Sequence, residues 1–372
     1  MKKLYFIILF LFASTAIYAQ ENKLNLIVGT FNRTCESKGI YVYEFDTNTG
    51  DLALKSNTEN VLNPGYLTVS SDNKFVYSVN QNKNGTNESG ISAFKFDSLG
   101  GKLDFINKQI TSEDGPCYII NNDKNVITAN YFSGSISVFG KNSDGSVTEV
   151  KQIVPHFGKG IDKRQEKAHA HMASFSPDKK YVLVSDLGAD RIYSYQYNPN
   201  SEKEVLVFKD TVTAKKGSGP RHFSFSKDGK YVYLIQEIDG SLTTFSYADG
   251  ILKKVNETSI IAPDFKGDVS SADIHISPDG KFLYASNRGT ANDISVYKIL
   301  KKGKLEFVSR TSTLGNTPRN FTIDPTGNFL LVGNQNSNNI VVFKRDKKTG
   351  SLTATGKKVQ LCSPVCLVFT KI

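Results

Sequence analysis

An all-β fold of seven blades arranged as a propeller, four antiparallel strands to each blade, is what this sequence predicts, and three observations predict it. One two-strand segment recurs at a near-constant interval. A Ser-Pro-Asp-Gly-Lys-like turn sits in the middle of most copies. The last copy is cut short, and the start of the chain supplies what it lacks. The openings of the copies fall at Pro64, Pro116, Ala170, Pro220, Ser271, Pro318 and Pro364, with spacings of 52, 54, 50, 51, 47 and 46.

The chain opens with Met1 to Ala19, which reads as a secretory signal. Lys2 and Lys3 lead an apolar run, and small residues precede Ala19-Gln20. The run is shorter than the ~20 residues a span needs, and no later segment approaches that length. An exported, periplasmic protein is expected, with residues 20–372 forming one domain and no membrane span once the signal is removed. Leu24 to Thr30, Gly39 to Phe45 and the Thr49-Gly50-Asp51-Leu52 hairpin then give three strands without a partner of their own. The single strand after Pro364, Val365 to Phe369, is expected to pair with them. That closes the ring and leaves no exposed edge.

The complete units follow in order. PGYLTVSSDNKFVYSVNQ (Pro64 to Gln81), AHMASFSPDKKYVLVSDL (Ala170 to Leu187), GPRHFSFSKDGKYVYLIQE (Gly219 to Glu237), SADIHISPDGKFLYASNR (Ser271 to Arg288) and TPRNFTIDPTGNFLLVGNQ (Thr317 to Gln335) are each strand, turn, strand. The unit opening at Pro116 has a turn two residues shorter. Apolar and polar residues alternate, β-branched and aromatic side chains dominate, and no 3.6-residue stripe appears, so helix is expected to be nearly absent. The chain has no Trp, which argues against WD-repeat and kelch blades and not against propellers.

The formal net charge of +10 does not read as a nucleic-acid footprint. Lys74, Lys124, Lys180, Lys230 and Lys281 each occupy an inter-strand turn and spread around a rim instead of forming one stripe. The cysteines, Cys35, Cys117, Cys362 and Cys366, form no C-x-x-C motif and no metal spacing. Export permits a bridge from Cys35 to Cys362 or to Cys366, and buried thiols are the alternative.

The repeat also works as a ruler. In each unit the residue after the opening and the residue ending the second strand should meet at the rim opposite the turn, facing the central channel. The first set is Gly65, Cys117, His171, Arg221, Ala272, Arg319 and Val365; the second is Gln81, Tyr131, Leu187, Glu237, Arg288, Gln335 and Thr30. A His, a Glu and three Arg from consecutive units therefore converge, which marks a binding or catalytic site. His171 is a natural proton carrier, Glu237 an ionised carboxylate between guanidiniums suited to act as base or to orient a water, either of the two being the expected base, and Arg221 and Arg288 fork onto a carboxylate, phosphate or developing oxyanion. His222 and Asp273, one residue further in, read as satisfied partners inside the sheet, and His275 as structural. The long insertion between Val154 and Ala170 reaches the same rim and adds Arg164, Gln165 and His169.

Arg164-Gln165 with His169-Ala170-His171, SDLGADRI (Ser185 to Ile192), GPRH (Gly219 to His222) ending at Glu237, ADIHISPDGKFLYASNR (Ala272 to Arg288) and PRNF with GNQ (Pro318 to Gln335) together resemble the seven-bladed propeller lactonases. These comprise the bacterial 6-phosphogluconolactonases of propeller type and the fungal carboxymuconate-lactonising enzymes. The similarity covers essentially the whole mature chain. It implies active-site roles for His171, Arg221, Glu237 and Arg288, a small lactone as substrate, and no metal or other cofactor; the register adds Arg319 and Gln335 beside those four as substrate-binding residues. No Gly-x-Ser-x-Gly elbow is present, so water is expected to attack directly. Losing one oxyanion contact is then expected to cost ~3–4 kcal/mol. Export points away from a cytoplasmic phosphorylated sugar and toward an unphosphorylated or carboxylated lactone. A non-catalytic binding propeller, a lactonising cycloisomerase and a calcium-dependent lactonase, the last using Asn80, Asn130, Asn287, Asn334 and Glu237, are the competing readings.

Overall fold

The computed structural model describes residues 22–33, 35–59, 61–81 and 89–372; the signal read over Met1–Ala19 lies outside them. Among the described residues twenty-eight strands form seven four-stranded antiparallel sheets, with one short 3-10 turn at Lys301–Gly303. The blades are numbered here from the N-terminus. Blade 1 is composite: its innermost strand is Pro364–Lys371, followed outward by Lys23–Thr30, Ile40–Asp46 and Leu52–Asn57. The seam runs from Leu24 opposite Lys371 to Thr30 opposite Pro364, so the two ends of the chain close the ring as expected.

The turn chemistry explains why the repeat is visible. In the turns of blades 2, 4, 5 and 6 an Asp (Asp72, Asp178, Asp228, Asp279) accepts the hydroxyl of the Ser two residues before it, at 2.5–2.6 Å. The same carboxylate accepts the N–H of the Lys two residues after it. The Ser Oγ takes the N–H that starts the second strand. Between Asp and Lys the backbone turns left-handed, with φ of 70° at Gly229 and 74° at Gly280. Asn73 and Lys179 adopt it without glycine at 57° and 58°.

Packing lies between blades. Seven clusters of buried apolar side chains each join two neighbours, for example Ile127, Ala129 and Ile136 of blade 3 against Val182 and Val184 of blade 4. Each such aliphatic side chain removed from water stabilises by ~1.5–3 kcal/mol. Among the described residues no helix is long and apolar enough to cross a membrane.

The cysteines resolve into one bridge, Cys35–Cys362, and two buried thiols, Cys117 and Cys366. Burial pushes both thiols up to about 12. The bridge ties the segment after the N-terminal strand to the segment before the C-terminal one, beside the blade 1 seam.

Candidate active site

The innermost strands of blades 3 to 7 share a defect at their first turnward step. The register passes from Pro116 to Tyr118, from Ala170 to Met172, from Pro220 to His222, from Ser271 to Ile274 and from Pro318 to Asn320, skipping the residues between. Cys117, His171, Arg221 and Arg319 are those bulged residues, with Ala272 and Asp273 in blade 6. A bulge frees a residue from the ladder and re-aims its side chain, here toward the hub. The second set is fixed by a repeated bond. The N–H of Gln81, Tyr131, Glu237, Arg288 and Gln335 each donates to a carbonyl just before its blade's inner strand, at 2.7–3.3 Å.

These two sets wall a cavity of about 330 Å³ at one mouth of the channel. Cys117, His171 and Arg319 come from the bulges. Gln81, Tyr131, Glu237, Arg288 and Gln335 come from the strand ends. Phe31, Arg33, Gly115, Phe132 and Ser363 complete it.

Glu237 is the centre of charge. Its Oε2 accepts Arg221 Nε at 2.9 Å and Arg288 Nη2 at 2.8 Å, and its Oε1 accepts Arg164 Nη1 at 3.3 Å. Burial alone would push its carboxyl up. Arg288, Arg221, Arg164 and Arg319 overcome that and hold it at about 2, so it is ionised at neutral pH. Burial pulls Arg288 down to about 10 and Arg319 to about 9; both stay charged. His171 is pushed well below its ordinary 6.5, first by burial and then by Arg221, His222, Arg319 and Arg288, so its imidazole is neutral. Its Nδ1 is sealed from solvent without a hydrogen-bond partner. A sealed lone pair costs less than a sealed N–H, which places the proton on Nε2.

The remaining sequence candidates divide by depth. Arg221 does not reach the wall. It is 2% exposed and lies beneath Glu237, with Nη1 donating to the Ala272 carbonyl and, at 3.2 Å, to His222 Nε2. The bulged Ala272 of the next blade fills none of that space, which leaves room for the long side chain. Arg164 is half-exposed; it meets Asp162 at 3.4 Å and, of Glu237, the outer oxygen alone. Gln165 is fully buried away from the cavity, its amide donating to the Leu187 carbonyl and to Asp190 at 2.7 Å each. His169 stacks behind Tyr131 at 4.4 Å and bonds the Tyr131 carbonyl. These last two back the wall without joining it. His156, in which the sequence showed no signal, anchors the insertion: its nitrogens meet Asp186 at 2.8 Å and Tyr195 at 2.9 Å.

His222 and Asp273 pair at 2.8 Å, and Asp273 also accepts from His275 at 3.0 Å. Three of the asparagines offered as cation ligands already spend their side-chain oxygen on a protein donor: Asn80 on Ser92, Asn130 on Thr128 and Asn287 on the Ser270 N–H. That, with the guanidiniums around Glu237, disfavours a divalent cation. Sequence reasoning missed Phe31, Arg33, Phe132 and Ser363, which lie outside the strands that carried the repeat.

Comparisons with known proteins identify the family. The family model described as lactonase, 7-bladed beta-propeller, matches residues 25–369. A 6-phosphogluconolactonase of Bacillus subtilis is 36% identical over 347 residues, covering 92% of this chain and 97% of its own. One from Formosa agariphila is 39% identical over 333 residues, covering 88% and 94%. The solved structure of a periplasmic gluconolactonase from Pseudomonas aeruginosa superposes with a TM-score of 0.89 at 34% identity, covering 93% of this chain and 99% of that one.

Proposed function

The chain belongs to the seven-bladed β-propeller lactonase family, and from that premise we propose that it hydrolyses the ring ester of an anionic sugar lactone. The observation that carries the reading is a half-buried, ionised Glu237 on the same cavity wall as a neutral His171 and a charged Arg288.

Glu237 orients a water through Oε1, the oxygen with only one long contact. The water attacks the lactone carbonyl. The charge that develops on the carbonyl oxygen is met by Arg288 and by the Nε2–H of His171, both in place beforehand. Glu237 takes the water's proton and returns it to the ring oxygen as the C–O bond breaks, giving the open hydroxy acid. Arg221, from below, holds the carboxylate in register. Cys117 also faces the cavity, but with its thiol pushed up to about 12 it stays protonated and is no nucleophile. The periplasm is the proposed compartment, supported by the signal-like Met1–Ala19 and by the periplasmic relative.

The test is proton release when the pure protein meets a panel of δ- and γ-lactones, with and without a chelator. Turnover that survives chelation is expected; silence across the panel would favour a non-catalytic binding propeller. The pH profile carries a further expectation. Because burial and the arginines keep His171 neutral well below 6.5, kcat/KM for the free enzyme should stay flat as pH falls through that value. An inflection near 6.5 would mean that His171 works as an ordinary base.

A further inference from the structure

Five arginines surround the cavity, and they are not equivalent. Arg164, Arg221 and Arg288 spend their charge on Glu237. Arg33 and Arg319 pair with no carboxylate among the described residues, yet both line the cavity. They share one platform: the guanidinium carbon of Arg33 lies 5.1 Å from the Phe31 ring centre, and that of Arg319 lies 5.4 Å from it. The two charges can therefore be no further apart than those two distances laid end to end. Arg319 is half-buried and Arg33 exposed, and the unpaired positive charge of both opens on the cavity, where an anion can meet it.

Arg33 is also held in place. Its Nη2 donates to Gln81 Oε1 at 2.9 Å. The Phe31 N–H donates to the Ser363 carbonyl at 3.0 Å, and Asn32 and Asn63 exchange backbone-to-side-chain bonds at 3.0 and 3.2 Å. Two residues on from Arg33, the Cys35–Cys362 bridge fastens this segment next to Ser363, itself on the cavity wall.

We propose that Arg33 and Arg319, set on Phe31 and clamped by the Cys35–Cys362 disulfide, form a subsite for a second oxyanion group of the ligand, a phosphate or carboxylate remote from the ring ester. This deepens the hydrolase reading and rests on it for the identity of the ligand. The subsite is separate from the reacting centre, where each guanidinium already has a carboxylate partner, Glu237 for Arg221 and Arg288, and Glu237 with Asp162 for Arg164. It selects substrates by a group that does not react, so its loss should appear in KM more than in kcat.

The experiment compares three lactones: one phosphorylated, one carrying a carboxylate, and one uncharged. In Arg33→Gln, the ratio of KM for a charged lactone to KM for the uncharged one is expected to rise about tenfold. The charged lactone whose ratio moves more identifies the group. A ratio unchanged for both charged lactones overturns the proposal. The double variant Cys35→Ser with Cys362→Ser, assayed below its unfolding temperature, should shift the ratio in the same direction; no shift would remove the disulfide from the subsite. Calorimetric titration with inorganic phosphate supplies a readout that needs no turnover. Phosphate binding by the parent protein that weakens in Arg33→Gln supports the subsite even if no lactone on the panel is opened, an outcome that would defeat only the hydrolase reading. Equal phosphate affinity in both proteins, together with an unchanged ratio for both charged lactones, defeats the subsite.

Discussion

Glu237→Gln is expected to lower kcat by about 10²–10⁴-fold, the range for removing a positioned proton-transfer group. Gln keeps the shape and one acceptor oxygen but cannot take a proton from water. It also leaves Arg221, Arg288 and Arg164 facing one another without the carboxylate that now separates them. Folding should therefore weaken as well, by ~3–5 kcal/mol, the usual cost of removing one partner from a buried charge pair. The two effects separate by pH. Glu237 is held at about 2, below the usual carboxylate value of 4.5, so its ionisation stabilises the fold fully above about pH 4.5. That contribution fades as pH falls toward 2. The stability gap between parent and variant should be constant near neutrality and narrow below pH 4.5, whereas the loss of kcat should persist wherever both are folded. Full turnover in a folded Glu237→Gln protein would remove the carboxylate from the mechanism.

The ring was legible because its determinants are local. Each Ser-x-Asp-x-Lys turn is closed by side chains within five residues of one another, so the repeat survives as a spelling. The same spacing brought His171, Glu237, Arg288, Arg319 and Gln335 to one wall. It did not show which arginines face the ligand. Arg221 and Arg319 occupy equivalent bulges, but Arg221 runs under Glu237 because the next blade has Ala272 at that position, and no single-strand register encodes a neighbour's missing bulk. Arg33 was illegible for a different reason. It belongs to no repeat, and its place depends on Cys35 pairing with Cys362 and not with Cys366, which the spacing left open. Gln165 and His169 are the converse case. They lie near His171 in sequence, yet Gln165 bonds Leu187 and Asp190 and His169 backs Tyr131, because a loop that crosses a rim must satisfy its own buried polar groups first.

Asp273→Ala is expected to be among the most destabilising single changes at the hub, by ~3–5 kcal/mol. The carboxylate is 2% exposed and accepts from His222, His275, Asn320 and the N–H groups of Ile274 and Phe321. Those donors come from blades 5, 6 and 7, and Asn320 passes the linkage on by accepting the Leu367 N–H of blade 1 at 2.7 Å. One side chain thus couples four consecutive blades where their inner strands meet. Alanine would orphan the donors and leave a void that the rigid hub cannot close. Burial would raise this carboxyl, but His275 and His222 outweigh it and hold the group well below its ordinary 3.8. The contribution of its own ionisation is therefore complete above that value and lost as pH falls through the lower, folded one. Asp273 also raises His275 above its ordinary 6.5, so the deficit of Asp273→Ala, read from urea unfolding, should be larger at pH 5, where His275 is charged beside the carboxylate, than at pH 8, where that pairing is being lost. Activity adds a second readout. His222 accepts from Arg221, which holds Glu237, so a protein that still folds should lose kcat with little change in KM. A deficit below about 1 kcal/mol, the scale of an exposed ion pair, would mean that the apolar interfaces alone set the blade order and that this buried network is dispensable.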